Sequence, residues 1–311
     1  MLSVLRWIGG QARWVLAIGV LLATVLPDLS AILRPFMPVF VALVFCVAMI
    51  RVDLVEMLRS MARPRHLVRL CALTIALLWL TPAVLWLLGE TFGLAPEMSA
   101  ALVYTGAAPP ITLAAALCLM LGLNAAWALE LTIFSSLAAP FLGPVAVTLL
   151  LGEALPIEPW PLALRMGGMI LAGALAAVVA RWIAGAERLR THAVALDGVG
   201  ALAVLIFVIP LFDGFWSAVF ANPTLAAALL GLAVTVNFGM QAILARTLMS
   251  SVGRPLSGAA GLTWGNRTVA LYLAALPPDP VFALYVALYQ VPMLFTPLVM
   301  ARVLGALRRD N

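Results

Sequence analysis

Long apolar runs separated by short polar or charged connections make up almost the whole chain. A helix needs about 20 residues to cross a bilayer, and dividing the runs by that length predicts about ten membrane helices. They fall near residues 14–27, 33–50, 66–89, 97–121, 125–150, 159–182, 194–211, 223–245, 255–276 and 280–304. Two of these runs are interrupted. In the fourth, Gly106-Ala107-Ala108-Pro109-Pro110-Ile111-Thr112 contains a proline pair. Pro110 has no amide to donate, and its ring pushes Pro109 out of the helical region. In the ninth, Thr263-Trp264-Gly265-Asn266-Arg267-Thr268 places polar residues and a charge inside an otherwise apolar span. Backbone freed by such a break must be satisfied by protein, ions, water or a ligand, so it belongs at a cavity and not against lipid.

Composition removes the soluble alternative. The chain is 65% hydrophobic and 10% charged, with a mean hydropathy of +1.13, whereas soluble domains carry about a quarter charged residues. The net charge of +5 does not point to nucleic acid, because the arginines are scattered in short loops beside apolar runs. Their distribution predicts topology instead. With the N-terminus inside, Arg6, Arg13, Arg51, Arg59, Arg63, Arg65, Arg69, Arg181, Arg188, Arg190, Arg246, Arg254, Arg302, Arg308 and Arg309 are cytoplasmic, and Arg34 and Arg165 are left outside with most loop acids. This is the positive-inside pattern of an integral inner-membrane protein with both termini in the cytoplasm. Trp7, Trp14, Trp160, Trp182 and Trp216 lie near span ends, where indoles anchor at the headgroups. The link from Arg51 to Arg69, with Leu54, Val55, Met57, Leu58 and Met61, reads equally as an amphipathic interfacial helix or as a solvated connection.

Five spans before the middle and five after it give two repeats of opposite orientation, residues 1–155 and 156–311. The breaks fall in the fourth span of each, the arrangement by which discontinuous helices build a transporter site at the bilayer midplane. Pro109, Pro110 and Gly265 are then scaffold, creating the breaks. Thr112, Thr263, Asn266, Arg267 and Thr268 are the candidate substrate-binding residues, and Arg267 leads them, since a charge at mid-bilayer costs at least about 2.5–3.5 kcal/mol and marks a functional position. Glu130, read as the carboxylate deepest in a span, either pairs with Arg267 or carries a proton for coupling, with Thr132 beside it. Asn237, Gln241 and Gln290 either line the cavity or bind neighbouring helices. No Ser/His/Asp or Cys/His set, phosphate loop, HExxH or paired intramembrane carboxylates occur, so an enzyme is not expected. The isolated Cys46, Cys71 and Cys118 predict no metal site.

The stretches Gly106 through Pro109, Asn124, Thr132, Pro140 and Pro144, and Gly265 to Leu276 with the final helix, resemble helices four, five, nine and ten of the bile acid:sodium symporter family. The resemblance implies an all-α, ten-helix membrane fold with a panel domain (14–50 and 159–211) and a core domain (66–150 and 223–304), in which helices four and nine unwind and cross. It also implies an organic-anion site and two sodium sites at that crossing. The sodium ligands depart from the family's pattern. Ala114 and Ala115 stand where it has serine and asparagine, Leu77 where it has glutamine, and Thr263 where it has glutamate; on helix five Ala128 and Thr132 keep one hydroxyl. Arg267 replaces a glutamine, putting a permanent guanidinium where sodium would supply positive charge. The reading is a secondary transporter of a small organic anion working by alternating access, as a uniport or with protons, with no cofactor and no sodium requirement. A transport-inactive sensor or assembly partner locked by an Arg267–Glu130 bridge, and a sodium symporter with atypical ligands, are the alternatives. The expected partners are the substrate and the bilayer, and no feature fixes an oligomeric state.

Overall fold

The computed structural model describes residues 2–50, 59, 63–152 and 158–306. The hydrophobic residues named between Arg51 and Arg69 as an interfacial helix, Leu54, Val55, Met57, Leu58 and Met61, lie outside the described residues. The described chain is helical throughout, and the one strand-like feature in it is a two-residue antiparallel pairing of Pro110 with Arg267.

In chain order the helices are α1 (Leu2–Gly10), α2 (Ala12–Thr24), α3 (Pro27–Leu33), α4 (Met37–Ile50), α5 (Pro64–Ile75), α6 (Thr81–Thr91), α7 (Pro96–Ala107) and α8 (Ala114–Met120). They continue as α9 (Ala125–Leu151), α10 (Pro159–Ala184), α11 (Ala186–Thr191), α12 (Ala193–Val208), α13 (Phe215–Ala221), α14 (Pro223–Val252), α15 (Arg254–Gly265), α16 (Ala270–Ala275) and α17 (Pro280–Ala306). Among the described residues seven stretches are long and apolar enough to cross a membrane: Pro27–Ile50, Pro64–Thr91, Ala125–Leu151, Pro159–Ala184, Ala193–Phe212, Pro223–Val252 and Pro280–Val303. Ile32, Phe141, Leu171 and Ile243 are among many large apolar side chains left exposed on these surfaces, as expected of an integral membrane protein whose outer faces meet hydrocarbon.

The boundaries differ from the sequence reading where local chemistry intervenes. The first expected run, 14–27, ends at Thr24 because Pro27 opens a new helix, and it is preceded by the separate helix α1. Gly9 and Gly198 let α1 lie directly against α12, since a side chain at either would strike the other helix's backbone. The indoles of Trp7, Trp14, Trp160, Trp182 and Trp216 are all exposed, and Trp216 Nε1 donates to the Thr24 carbonyl at the end of α2.

The helices pack as two sets. α4 runs along α10 and α12, and α12 also carries α1 and α2. α14 packs against α15 and α17, and α6 against α7. α14 and α15 approach closely through Gly261 and Gly265, a small-xxx-small spacing that seats α15 on the backbone of Gln241 and Asn237. α9 and α16 border both sets, α9 packing on α10 and α7, and α16 on α4, α10 and α17.

Candidate functional site

The two interrupted runs meet. α7 stops at Ala107 and its continuation α8 starts at Ala114; α15 stops at Gly265 and α16 starts at Ala270. Between them the extended segments pair: Ile111 N donates to the Asn266 carbonyl (2.9 Å) and Thr268 N to the Pro109 carbonyl (2.8 Å). Thr268 Oγ1 adds a bond to the Pro110 carbonyl at 3.0 Å. The prolines make the first break, because Pro109 and Pro110 have no amide with which to close it, and in the second the Thr268 amide turns from its own helix to the Pro109 carbonyl.

Arg267 lies at the centre of the crossing, 1% exposed. Its Nε donates to the Trp264 carbonyl (2.7 Å), Nη1 to the Ala108 carbonyl (2.9 Å) and Nη2 to the Leu77 carbonyl (3.4 Å). Trp264 and Ala108 sit at the C-terminal ends of α15 and α7, the negative ends of their dipoles. The Leu77 carbonyl belongs to a π-turn, Ala76–Leu80, in which the Thr81 amide reaches back to Ala76; in that register the amide facing Leu77 would be that of Pro82, which has none. A charge-assisted hydrogen bond contributes about 1.5–3 kcal/mol, so three together offset an insertion cost of about 2.5–3.5 kcal/mol.

Other carbonyls at the breaks are also taken by protein. Gly265 accepts from Tyr289 Oη (2.5 Å) and Asn237 Nδ2 (2.7 Å), and Ala107 from Tyr272 Oη at 3.4 Å. Behind Asn266, Asn237 Nδ2 and Thr296 Oγ1 donate to its Oδ1, and Gln241 Nε2 donates to Asn237 Oδ1 and Thr296 Oγ1. Asn237 and Gln241 therefore bind neighbouring helices, one of the two roles their spacing allowed.

A cavity of about 240 Å³ lies beside the crossing, walled by Val44, Val47 and Ala48 of α4, Gly200 and Val204 of α12, Ala115, Ala116 and Leu119 of α8, and the first turns of α9. Two smaller spaces, of about 30 and 40 Å³, continue it inward to Pro109, Ser136 and Thr268 and to Arg267, Thr268 and Gln290. Thr112 borders all three. Of the expected substrate residues, Thr112, Arg267 and Thr268 thus come together at the cavities. Thr263 and Asn266 line none of these three, because Thr263 Oγ1 turns back to the Ala259 and Ala260 carbonyls and Asn266 is consumed by its network. Gln290 does line the innermost space, its Nε2 bound to the Val286 carbonyl and its Oε1 buried without a hydrogen-bond partner.

Glu130 lies elsewhere. It is in the second turn of α9 and meets His66 Nε2 at 2.6 Å, with 20% of its side chain exposed. Ser136, the α9 residue that reaches the crossing, is six residues further on, about 9 Å along the axis at 1.5 Å per residue. The Arg267–Glu130 bridge is replaced by Arg267 on three carbonyls and Glu130 on histidine. Thr132 is buried, with its hydroxyl unpartnered.

The model of the sodium bile acid symporter family matches residues 38–215, more than half of the chain. The chain belongs to that family. The matched segment includes the Pro109-Pro110 break, and the Arg267 break lies beyond it. No curated protein matches the chain. Membership and the apolar helices make it a membrane transporter of this family, whose members are transporters and not enzymes.

The family's description names sodium, and the side chains at this crossing supply few free oxygens for that ion. Among the described residues no group of three His, Cys, Asp or Glu side chains gathers, and Ala114, Ala115, Ala128 and Leu77 offer no side-chain oxygen. On α9 and α17 the buried side-chain oxygens left without a partner are Thr132 Oγ1 and Gln290 Oε1, fewer than the several oxygens a hard cation takes.

Proposed function

We propose that the protein is a secondary transporter of a small organic anion, working by alternating access without sodium coupling, as a uniport or with protons. The observation that carries this is the cavity of about 240 Å³ beside the crossing, apolar except at Thr112, together with the adjoining space of about 40 Å³ that shares Val44, Thr112 and Val204 with it and is lined by Arg267. An apolar pocket with a few convergent polar groups suits an organic ligand, and a buried guanidinium selects for negative charge. Three of its five N–H groups are committed to carbonyls, which leaves two for a ligand.

The finer architecture belongs to the same reading. The seven long helices, the two interrupted runs and the α1–α2 pair would be ten spans, in repeats 1–155 and 156–311. The antiparallel pairing of the two breaks supports a pseudo-two-fold relation. The set built on α4, α10 and α12 would be the panel and the set containing both breaks the core, with the cavity at their boundary. The arginine distribution supports an inner-membrane location with cytoplasmic termini. The transport-inactive alternative loses its proposed lock, since Arg267 and Glu130 have other partners.

The test is counterflow in liposomes: protein preloaded with a panel of unlabelled mono- and dicarboxylates and sulfonates, in sodium-free buffer, with labelled anion added outside. Accumulation of at least one anion is expected. No counterflow of any anion, in folded protein with and without sodium, would overturn the reading.

A further inference from the structure

Three carbonyls from three separate segments converge on one buried guanidinium. Leu77 is freed by a π-turn and a proline, Ala108 and Trp264 by helix ends, and each contributes the negative end of a peptide dipole. With no carboxylate among them, these oxygens are spaced by three different guanidinium nitrogens and so suit a monovalent cation of that size, while a bare alkali ion would need further oxygens to complete its shell. We propose that Leu77, Ala108 and Trp264 form a monovalent-cation site that the chain fills with its own Arg267, so that the carrier's cation is covalently tethered and exogenous sodium has nowhere to enter. The proposal rests on reading the crossing as the transport site, but its chemistry is local and can be measured without any substrate.

The tether has two consequences. A cation fixed to α15's continuation cannot dissociate, so it leaves no ion to be cotransported, and each cycle carries only the charge of the anion and of any coupled proton. The same guanidinium ties the ends of α7 and α15 to the π-turn, so its removal loosens the crossing as well as discharging it. A free cation of the right shape can repair both defects, and sodium, being spherical, can repair them only where replacement side chains complete its oxygen shell.

The experiment uses the full chain with Arg267→Ala and Arg267→Gln, purified in detergent and followed by thermal unfolding, with circular dichroism to confirm helix content. Wild type is expected to show no shift with sodium against choline. Arg267→Ala should melt lower and regain at least half of the loss with guanidinium or methylguanidinium at millimolar, non-denaturing concentrations, while wild type gains nothing. Arg267→Gln, which adds a carboxamide oxygen to the vacated carbonyls, should acquire a sodium-dependent rise. Severalfold tighter anion binding or a raised melting temperature for wild type in sodium would overturn the proposal, and so would a folded Arg267→Ala protein indifferent to guanidinium. If neither Arg267 variant folds, the wild-type sodium comparison decides alone. Failure of counterflow with a normal guanidinium response would count against the transport reading and leave the tethered cation standing.

Discussion

Replacing Gly265 by alanine tests whether the crossing is held by close helix approach. An added Cβ would lie under 3.0 Å from the Asn237 carbonyl oxygen and from Gln241 Cγ. The first is backbone and cannot swing aside, so α15 must move off α14. Overpacking of this kind costs about 1–3 kcal/mol. Alanine's helix propensity returns up to about 1 kcal/mol, but displacement of α15 also stretches the Tyr289 and Asn237 bonds to the Gly265 carbonyl, each contributing about 0.5–1.5 kcal/mol. The net expectation is destabilisation by about 1–3 kcal/mol, roughly a 5- to 150-fold change in the folding equilibrium. Gly261→Ala should behave similarly, because its Cβ would strike the Gln241 carbonyl. Gly231→Ala is the control: nothing lies within 4 Å of its Cβ, so propensity alone acts and the protein should be unchanged or slightly more stable. Denaturation by SDS in mixed micelles, read by circular dichroism, supplies the comparison. If Gly265→Ala and Gly261→Ala unfold with wild type, or if Gly231→Ala falls with them, the packing argument is wrong.

Thr112→Val should weaken anion binding by about 0.5–1.5 kcal/mol, the net contribution of one hydrogen bond, with melting temperature unchanged, because the residue borders all three cavities; binding can be followed by ligand-induced thermal shift. Glu130→Gln should cost less than about 1 kcal/mol, as expected of a partly solvated pair, and should leave counterflow intact; its loss would make Glu130 the proton carrier. Tyr289→Phe should destabilise by about 1 kcal/mol or less, since Asn237 still donates to the Gly265 carbonyl, and chemical denaturation would measure it.

The breaks were legible because proline and a charged residue in an apolar span have few physical explanations, and both stretches occupy the crossing. Arg267 was likewise found by its cost. Its partners could not be read, since backbone carbonyls leave no mark on a sequence and the Leu77 carbonyl becomes available only through the π-turn ahead of Pro82. The Arg267–Glu130 pairing could not be read from hydrophobicity alone, because the second turn of a helix that begins at Ala125 lies near its end, beside His66 in the first turn of the neighbouring helix. Gly261 and Gly265 did carry a signal in their four-residue spacing. It was obscured because Gly265 also marks the break.

The arginines show how far a correct inference can still be incomplete. Their distribution was read as a topological signal, which concerns loops and headgroups. Four of them also donate to the end of a helix from another part of the chain: Arg34 to Pro210, Arg165 to Ala275, Arg181 to Ile50, and Arg267 to Ala108. A helix C-terminus leaves carbonyls without intrahelical partners, and near or inside a bilayer water cannot be relied upon to satisfy them. A long cationic side chain from a neighbouring helix meets both the hydrogen bond and the dipole. Arg267 follows the same rule at a pair of buried helix ends. Its position therefore requires no special origin, only two helices broken face to face and a cation able to reach both.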